Sequence, residues 1–299
     1  MIIHFFLSLF IPVCFSVLFC KKTYTHLDAW AIDVLFFGSY VLALFFLGLW
    51  PLTGSYFLRY LILSLFFGSV LISLLQNHLL IRWKFQAAHA LPLLLTVFFA
   101  SLITASLYGS RKPPHCIELA FPLKGDFTYV AQGGNHRLLN HHFPVSAQKY
   151  ALDLLQLNLY GSRSHTLIPL QLTDFISYQA SIYSPCDGLV IALQDGWEDQ
   201  PPGVPDPSHP AGNYLAIQKA EGEVVVILAH LLKQSFAVKP GDAVKKGDLV
   251  GKIGNSGNTS EPHLHIHCLR SNSGDFFEKG EGVPMTFEGK FLSRNHVYH

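Results

Sequence analysis

The sequence predicts a chain in two parts, four transmembrane α-helices followed by an all-β domain. Three observations carry that prediction. Of the first 110 residues, only Lys21, Lys22, Asp28, Asp33, Arg59, Arg82 and Lys84 are Lys, Arg, Asp or Glu. The same stretch holds four apolar runs, each near the roughly 20 residues that a bilayer requires. After Arg111 the pattern turns to short β-like runs punctuated by Asp-Gly, Pro-Gly-Asp, Lys-Gly-Asp and Gly-Asn turns. The chain of 299 residues is 50% hydrophobic and 14% charged, where a typical soluble domain carries about 25% charged residues. Its net charge of +1 excludes the strong basic excess of a dedicated nucleic-acid binder, so no nucleic acid is expected as partner.

The apolar runs cover residues 2–20, 30–50, 56–80 and 91–108. No polar face interrupts them, which argues against buried helices of a soluble core. Lys21-Lys22 closes the first run, Pro51-Leu52-Thr53-Gly54-Ser55 turns the chain after the second, and His78, Arg82, Trp83 and Lys84 separate the third from the fourth. The start Met1-Ile2-Ile3-His4 lacks the basic segment of a signal peptide, and Val17-Leu18-Phe19 is too bulky for a lipoprotein site at Cys20. Four retained helices are therefore expected over residues 1–110. Placing Lys21, Lys22, Arg82 and Lys84 in the cytoplasm puts the C-terminal domain on the other side of an inner or plasma membrane, while Arg59, Arg111 and Lys112 vote the opposite way.

Residues 111–120 read as a linker, because Arg111-Lys112-Pro113-Pro114 cannot continue a helix. The domain over 121–299 has strand-like runs at 127–131, 150–155, 188–193, 214–218, 224–229, 249–253 and 263–269. A long proline-rich loop at 194–212 is expected to border the site. The most informative stretch is Gly254-Asn255-Ser256-Gly257-Asn258-Thr259-Ser260-Glu261-Pro262-His263-Leu264-His265-Ile266-His267. On a strand, His263, His265 and His267 share one face, and Leu264, Ile266 and Cys268 the other. Imidazoles side by side over a cleft suit a zinc ion or a proton-transfer group. A half-buried strand with a histidine-rich, solvated face is the plain alternative.

Ala229-His230-Leu231, the hairpin run from Val238-Lys239-Pro240-Gly241-Asp242 to Lys246-Gly247-Asp248, and Gly254-Asn255-Ser256-Gly257 ahead of His263-Leu264-His265 together resemble lysostaphin-type (LytM-like) zinc endopeptidases. Ser184-Pro185-Cys186-Asp187-Gly188 resembles an upstream strand of the same family, so the likeness runs from about Phe121 to Leu269. It implies a duplicated hybrid motif fold, a zinc cofactor and a peptide substrate, most plausibly the cross-links of peptidoglycan. Position by position, it implies Asp153 and His265 as metal ligands and His230 and His263 as the histidines flanking the reacting water and carbonyl. Such rings can take a proton when neutral or stabilise an oxyanion when charged.

One position departs from the family. Histidine usually stands four residues before the aspartate, and here that residue is Lys149, a cation that cannot ligate zinc. Relatives with an Asn-x-His element upstream and a basic residue before Tyr-Ala-x-Asp suggest His142, of Asn140-His141-His142, as the replacement. The alternative is a degenerate, non-catalytic module that binds cell wall or activates a partner hydrolase. The Val-x-x-Gly-Asp repeat also resembles biotinyl and lipoyl carrier hairpins, in which His-Leu-His has no role. Cys116 and Cys186 are the one disulfide pairing worth considering, against free thiols throughout. His136, His165, His209 and His299 read as solvated, and Trp197 either lines a groove or plugs a gap.

Overall fold

The computed structural model describes residues 2–77, 86–125, 127–270 and 274–299. The expected turn residues His78, Arg82, Trp83 and Lys84 lie outside the described residues. The chain divides into two compact units, Met1–Leu107 and Tyr108–His299.

Four helices in the first unit and at its end are long and apolar enough to cross a membrane: Ile3–Lys21, Leu27–Leu47, Leu58–Gln76 and Ala87–Gly109. At 1.5 Å per residue they span about 28–35 Å, which matches a hydrocarbon core of about 30 Å. The first contains a π-helical turn at Phe6–Phe10. Pro12 follows one residue later, and its missing N–H removes one ordinary helical hydrogen bond there. A small core of Phe37, Val41, Trp50, Ile62 and Phe66 ties the second and third helices together. Trp50 sits in the 3₁₀ turn Trp50–Thr53 and donates its indole N–H to the Leu44 carbonyl at 3.1 Å, so the turn between helices is packed rather than loose. The Arg59 guanidinium lies 3.7 Å over the Phe45 ring, a cation–π contact suited to a charge among apolar helices.

The second unit is β-rich. Its strands are β1 Ile117–Leu119, β2 Phe127–Gln132, β3 Leu152–Leu157, β4 Ser181–Tyr183, β5 Gly188–Gln194, β6 Asn213–Lys219, β7 Val224–Leu231, β8 Ala243–Val244, β9 Leu249–Lys252, β10 Leu264–Arg270, β11 Glu281–Gly282, β12 Met285–Phe287 and β13 Val297–Tyr298. The principal sheet is antiparallel in the order β13-β2-β3-β10-β7-β6-β5-β8, with β11 added on β10. Two short pairs, β1–β12 and β4–β9, lie beside it. The seven runs expected from periodicity all appear, shifted by one or two residues. The very short strands were not foreseen, because two or three residues carry no period. Strand β1 falls inside the expected linker 111–120.

Both faces of the sheet are buried. Along β7, Val224, Val226 and Leu228 enter one core with Leu154, Ile217, Leu264 and Ile266, while Val225 and Ile227 enter a second with Ala216, Leu269 and Phe276. This explains why β7 reads as an unbroken apolar run rather than an alternating one. It also removes the plain alternative of a solvated histidine face on β10. His265 and His267 point into the second core's side and are 2% and 0% exposed. The five cysteines are free, and Cys186 and Cys268 belong to the first core, so the considered Cys116–Cys186 bridge is absent.

Leu228 is wholly buried and lies on the face away from the histidines. Leu228→Ala should therefore cost about 2–5 kcal/mol by leaving a cavity, read as a lowered denaturant midpoint of the full-length protein in detergent. A loss under about 1 kcal/mol would mean that this face is not a close-packed core.

Candidate metal centre

Sheet register assembles the centre. His265 of β10 stands directly beside Asp153 of β3 on one side and Ala229 of β7 on the other. A register shift between Val130 and Gln132 on β2 also brings Gln132 opposite Asp153, so the strand is bulged where the carboxylate emerges. The Asp153 carboxylate is 6% exposed, and rings surround it. His265 Nδ1 lies 3.0 Å from its Oδ1, and His142 Nε2 lies 3.1 Å from each carboxylate oxygen. His263 Nε2 follows at 3.6 Å.

His142 reaches Asp153 from a loop, and one asparagine shapes that loop. Asn140 is completely buried. Its Nδ2 donates to the carbonyls of Gly134, Lys149 and Ala151, while its Oδ1 accepts from the His142 backbone N–H at 3.0 Å. The four contacts fold 140–151 back over the end of β3. Lys149 consequently lies in a turn, its N–H bonded to Ser146 O and the Ala151 N–H to Gln148 O. Its ammonium sits 5.1 Å over the Phe143 ring and 5.5 Å over that of Tyr150. The strand period that would have aimed Lys149 at Asp153 begins only at Leu152.

The donor set fits a small hard-to-borderline cation. Four ligands at about 2.0–2.1 Å in a tetrahedron stand roughly 3.3 Å from one another, close to the 3.0 and 3.1 Å separations seen here. His141 also brings a ring nitrogen within 4.8 Å of the His142 and Asp153 donors. It is more exposed than His142 and its tilted ring lies 3.8 Å from it between centroids, whereas His265 is held inside the sheet beside the same carboxylate. Burial on its own would raise the Asp153 carboxyl, but the His142 and His263 imidazoles hold it well below the usual carboxylate range. Burial, with His142 next, keeps His265 low and therefore neutral, as a nitrogen ligand must be.

His230 and His263 flank the centre, with ring centroids 4.9 Å apart. His230, next to last in β7, sits in the left-handed region at φ 64°, strained for a residue with a Cβ. Its Nδ1 donates to the Ser256 carbonyl at 2.9 Å, which leaves Nε2 as the bare nitrogen of the neutral ring. Burial, then the neighbouring His263, pushes its pKa down to about 3. His263 Nδ1 meets the Glu261 carbonyl at 2.9 Å, so its Nε2 is likewise free to face Asp153. Burial would lower His263, but Asp153 opposite more than offsets it and raises its pKa. Behind it the buried Arg163–Glu261 ion pair clamps the approach to β10.

A cleft of about 600 Å³ opens over these groups, lined by His142, Trp197, His209, Tyr214, His230 and His265 among others. The 194–212 loop borders it, as expected. Asn213 pins that loop by accepting from the Trp197 N–H and donating to the Trp197 and Leu231 carbonyls. Gly212 is required there, since a Cβ would sit 2.2 Å from the Ser256 carbonyl oxygen. Trp197 stacks on His209 at 3.4 Å, and Asp206 holds His209 Nδ1 at 2.8 Å. His209 thus lines the cleft wall while its side chain stays partly exposed. Sequence reading gave Asn140 no role of its own and missed Asn213 and the Arg163–Glu261 pair. Only Asn140 had a signal, its spacing to His142.

Residues 172–276 match the model of Peptidase family M23. His230, His263 and His265 fall within that segment, while His142 and Asp153 precede it. Two peptidoglycan DD-endopeptidases of Vibrio cholerae serotype O1 are similar. ShyB is 33% identical over 108 residues, covering 36% of this chain and 22% of its own length. ShyA is 32% identical over 99 residues, covering 32% and 19%. The chain thus spans about a fifth of the length of these relatives. Among solved structures, a zinc-containing peptidase from Vibrio cholerae aligns at 20% identity and a TM-score of 0.32, covering 54% of this chain and 37% of that one. The catalytic domain of lysostaphin from Staphylococcus simulans aligns at 22% identity and a TM-score of 0.25, covering 35% and 76%.

The hub role of Asn140 has a direct check. Asn140→Asp puts a carboxylate against three carbonyl oxygens and should destabilise the domain by about 1–3 kcal/mol, the scale of a buried unsatisfied group. Protease cutting within 133–151 should accelerate at the same time. Wild-type stability together with wild-type cutting would show that the loop is held by something else.

Proposed function

Starting from a domain of Peptidase family M23 over residues 172–276, we propose that this protein is a membrane-anchored zinc metalloendopeptidase. Its proposed substrate is a peptide bond in peptidoglycan cross-links. The observation that carries this reading is the convergence of His142 Nε2, the Asp153 carboxylate and His265 Nδ1 within 3.1 Å contacts, at a cleft lined by His142, His265 and a further histidine, His230. The placement of His142 where the family's usual ligand is replaced by Lys149 favours an intact site over a degenerate one. The names of the two Vibrio relatives, both peptidoglycan DD-endopeptidases, supply the substrate class.

His142, Asp153 and His265 would hold the zinc ion. Zinc bound there supplies Lewis acidity toward a scissile carbonyl and toward an attacking water. The chain's own part is proton handling and positioning. His230 and His263 each have Nδ1 anchored on a backbone carbonyl, which fixes the ring plane and leaves Nε2 as the working nitrogen. A neutral ring accepts a proton from water at that atom, and a protonated ring donates to the oxygen that develops charge. Trp197, stacked on His209, gives the cleft a flat apolar wall against which a peptide can lie.

Metal content of full-length protein tests the ligand set. His142→Ala, Asp153→Ala and His265→Ala should each abolish stoichiometric zinc, while His141→Ala should keep it. A wild type that takes up no zinc when metal is supplied would overturn the enzyme and leave a binding module. Zinc retained in the His141→Ala/His142→Ala double variant would remove that loop from the ligand set.

The flanking histidines separate chemistry from binding. His230→Ala and His263→Ala should retain zinc yet lower turnover of cross-linked muropeptides by about 10²–10⁴-fold, the range for lost proton transfer. Wild-type turnover in both would end their catalytic assignment.

Topology follows from the basic flanks. The domain is proposed to lie outside the cytoplasm, with the Lys21-Lys22 end of the first helix inside. Reporters fused at His299 and near Thr25 should give opposite signals. A cytoplasmic signal at His299 would exclude a cell-wall substrate.

A further inference from the structure

His265 has a second contact that the proposed chemistry leaves unexplained. On the ring edge away from Asp153, its Nε2 lies 2.9 Å from His267 Nδ1, and His267 Nε2 lies 2.8 Å from the Phe276 carbonyl oxygen. His265 and His267 are 2% and 0% exposed, and Phe277 closes over the His267 ring at 5.4 Å between centroids. Water has no access to this row of atoms.

The direction of the row follows from its far end. A backbone carbonyl only accepts, so the proton on the outer nitrogen of His267 must be on Nε2. A neutral His267 then has a bare Nδ1, which accepts from His265. That contact requires the His265 proton on Nε2, and it leaves His265 Nδ1 as a lone pair. This lone pair faces the Asp153 Oδ1 at 3.0 Å. Two electron-rich atoms so close repel each other, and a cation shared between them turns the repulsion into binding.

We infer that His267 is a positioning residue for the metal: the relay Phe276 O, His267, His265 sets the tautomer and ring plane of His265 so that Nδ1 is presented to zinc. The inference rests on the reading of His265 as a zinc ligand. Metal-bound histidines commonly donate their other ring nitrogen to an oxygen acceptor, and losing that acceptor costs about 10–100-fold in metal affinity. Here a second histidine stands in for that acceptor and passes the constraint on to the backbone of the loop after β10. That loop is thereby coupled to the metal centre through two rings.

Two variants of the full-length protein in detergent test the role, with zinc affinity measured by chelator competition. His267→Phe keeps a ring in the core and removes the acceptor, and it should weaken zinc binding by about 10–100-fold. His267→Asn returns an acceptor oxygen near the Nδ1 position, and it should recover most of that loss despite its smaller volume. A purely structural role predicts the reverse order, with the better-filling Phe closer to wild type. Nitrogen NMR of histidine-labelled wild type needs no variant: His267 should carry its proton on Nε2 and none on Nδ1. Zinc affinity of His267→Phe within twofold of wild type, or a protonated Nδ1 on His267, would overturn the relay. A wild type without zinc would instead overturn the reading of the site, and the NMR result would still decide the relay.

Discussion

A carboxylate buried inside a β-sheet is the constraint on which the rest of this domain depends. Asp153 emerges near the start of β3, opposite the bulge in β2, with little access to water. An isolated charge there would cost several kcal/mol at least, and proteins compensate such groups with partners or metals. No arginine or lysine closes on it among the ion pairs of the described residues; its partners are His142, His263 and His265. Three imidazoles and one carboxylate form a donor-rich set with adjustable protons, which is how a chain prepares a place for a divalent cation. Lys149, four residues upstream, would satisfy Asp153 with a fixed positive charge and close the site to metal. The turn that sends it onto Phe143 and Tyr150 keeps the carboxylate for the histidines.

The scaffold around this charge is organised to be dry on one side and open on the other. Cores on both faces of β7 hold the sheet rigid, so the register that sets Asp153 beside His265 has no freedom to slip. A one-residue slip would exchange His265 for Leu264 or Ile266 and put apolar groups against the carboxylate. The open side is made by loops that approach each other at glycine. Gly212 and Gly257 pass so closely that a Cβ on Gly257 would lie 2.4 Å from the Gly212 nitrogen. This contact locks the 194–212 loop to the Gly254–Ser260 loop and forms the cleft wall that carries Trp197 and His209. Precision at the centre and access to it thus come from different parts of the fold.

Much of this was legible in the sequence, and the reason is local periodicity. Four uninterrupted apolar runs have one physical solution in a bilayer and declare themselves by length. The alternation His263-Leu264-His265-Ile266-His267 places the histidines on one face of a strand whatever surrounds it. The order of the glycine-rich turns and of His230, His263 and His265 carried the resemblance to a peptidase family, and the match over residues 172–276 bears that resemblance out. Periodicity by itself left open whether the histidine face was solvated or covered. Alternation tells which residues share a side, while the covering of that side by Phe276 and Phe277 comes from a segment beyond the strand.

By itself, then, the sequence determined the division into an apolar helical part and a β-rich part and the strand bearing His265, because each follows from interactions between residues near in the chain; the candidacy of Asp153 came from the family resemblance. The path by which His142, rather than Lys149, comes to lie against the carboxylate is visible only in the tertiary structure. That path depends on Asn140 binding the carbonyls of Lys149 and Ala151, nine and eleven residues away, a loop closure without any period to read. Tertiary structure also decided what His267 touches. Its partner is a backbone carbonyl, a group every residue possesses, so only the path of the chain could bring that oxygen within 2.8 Å of the ring.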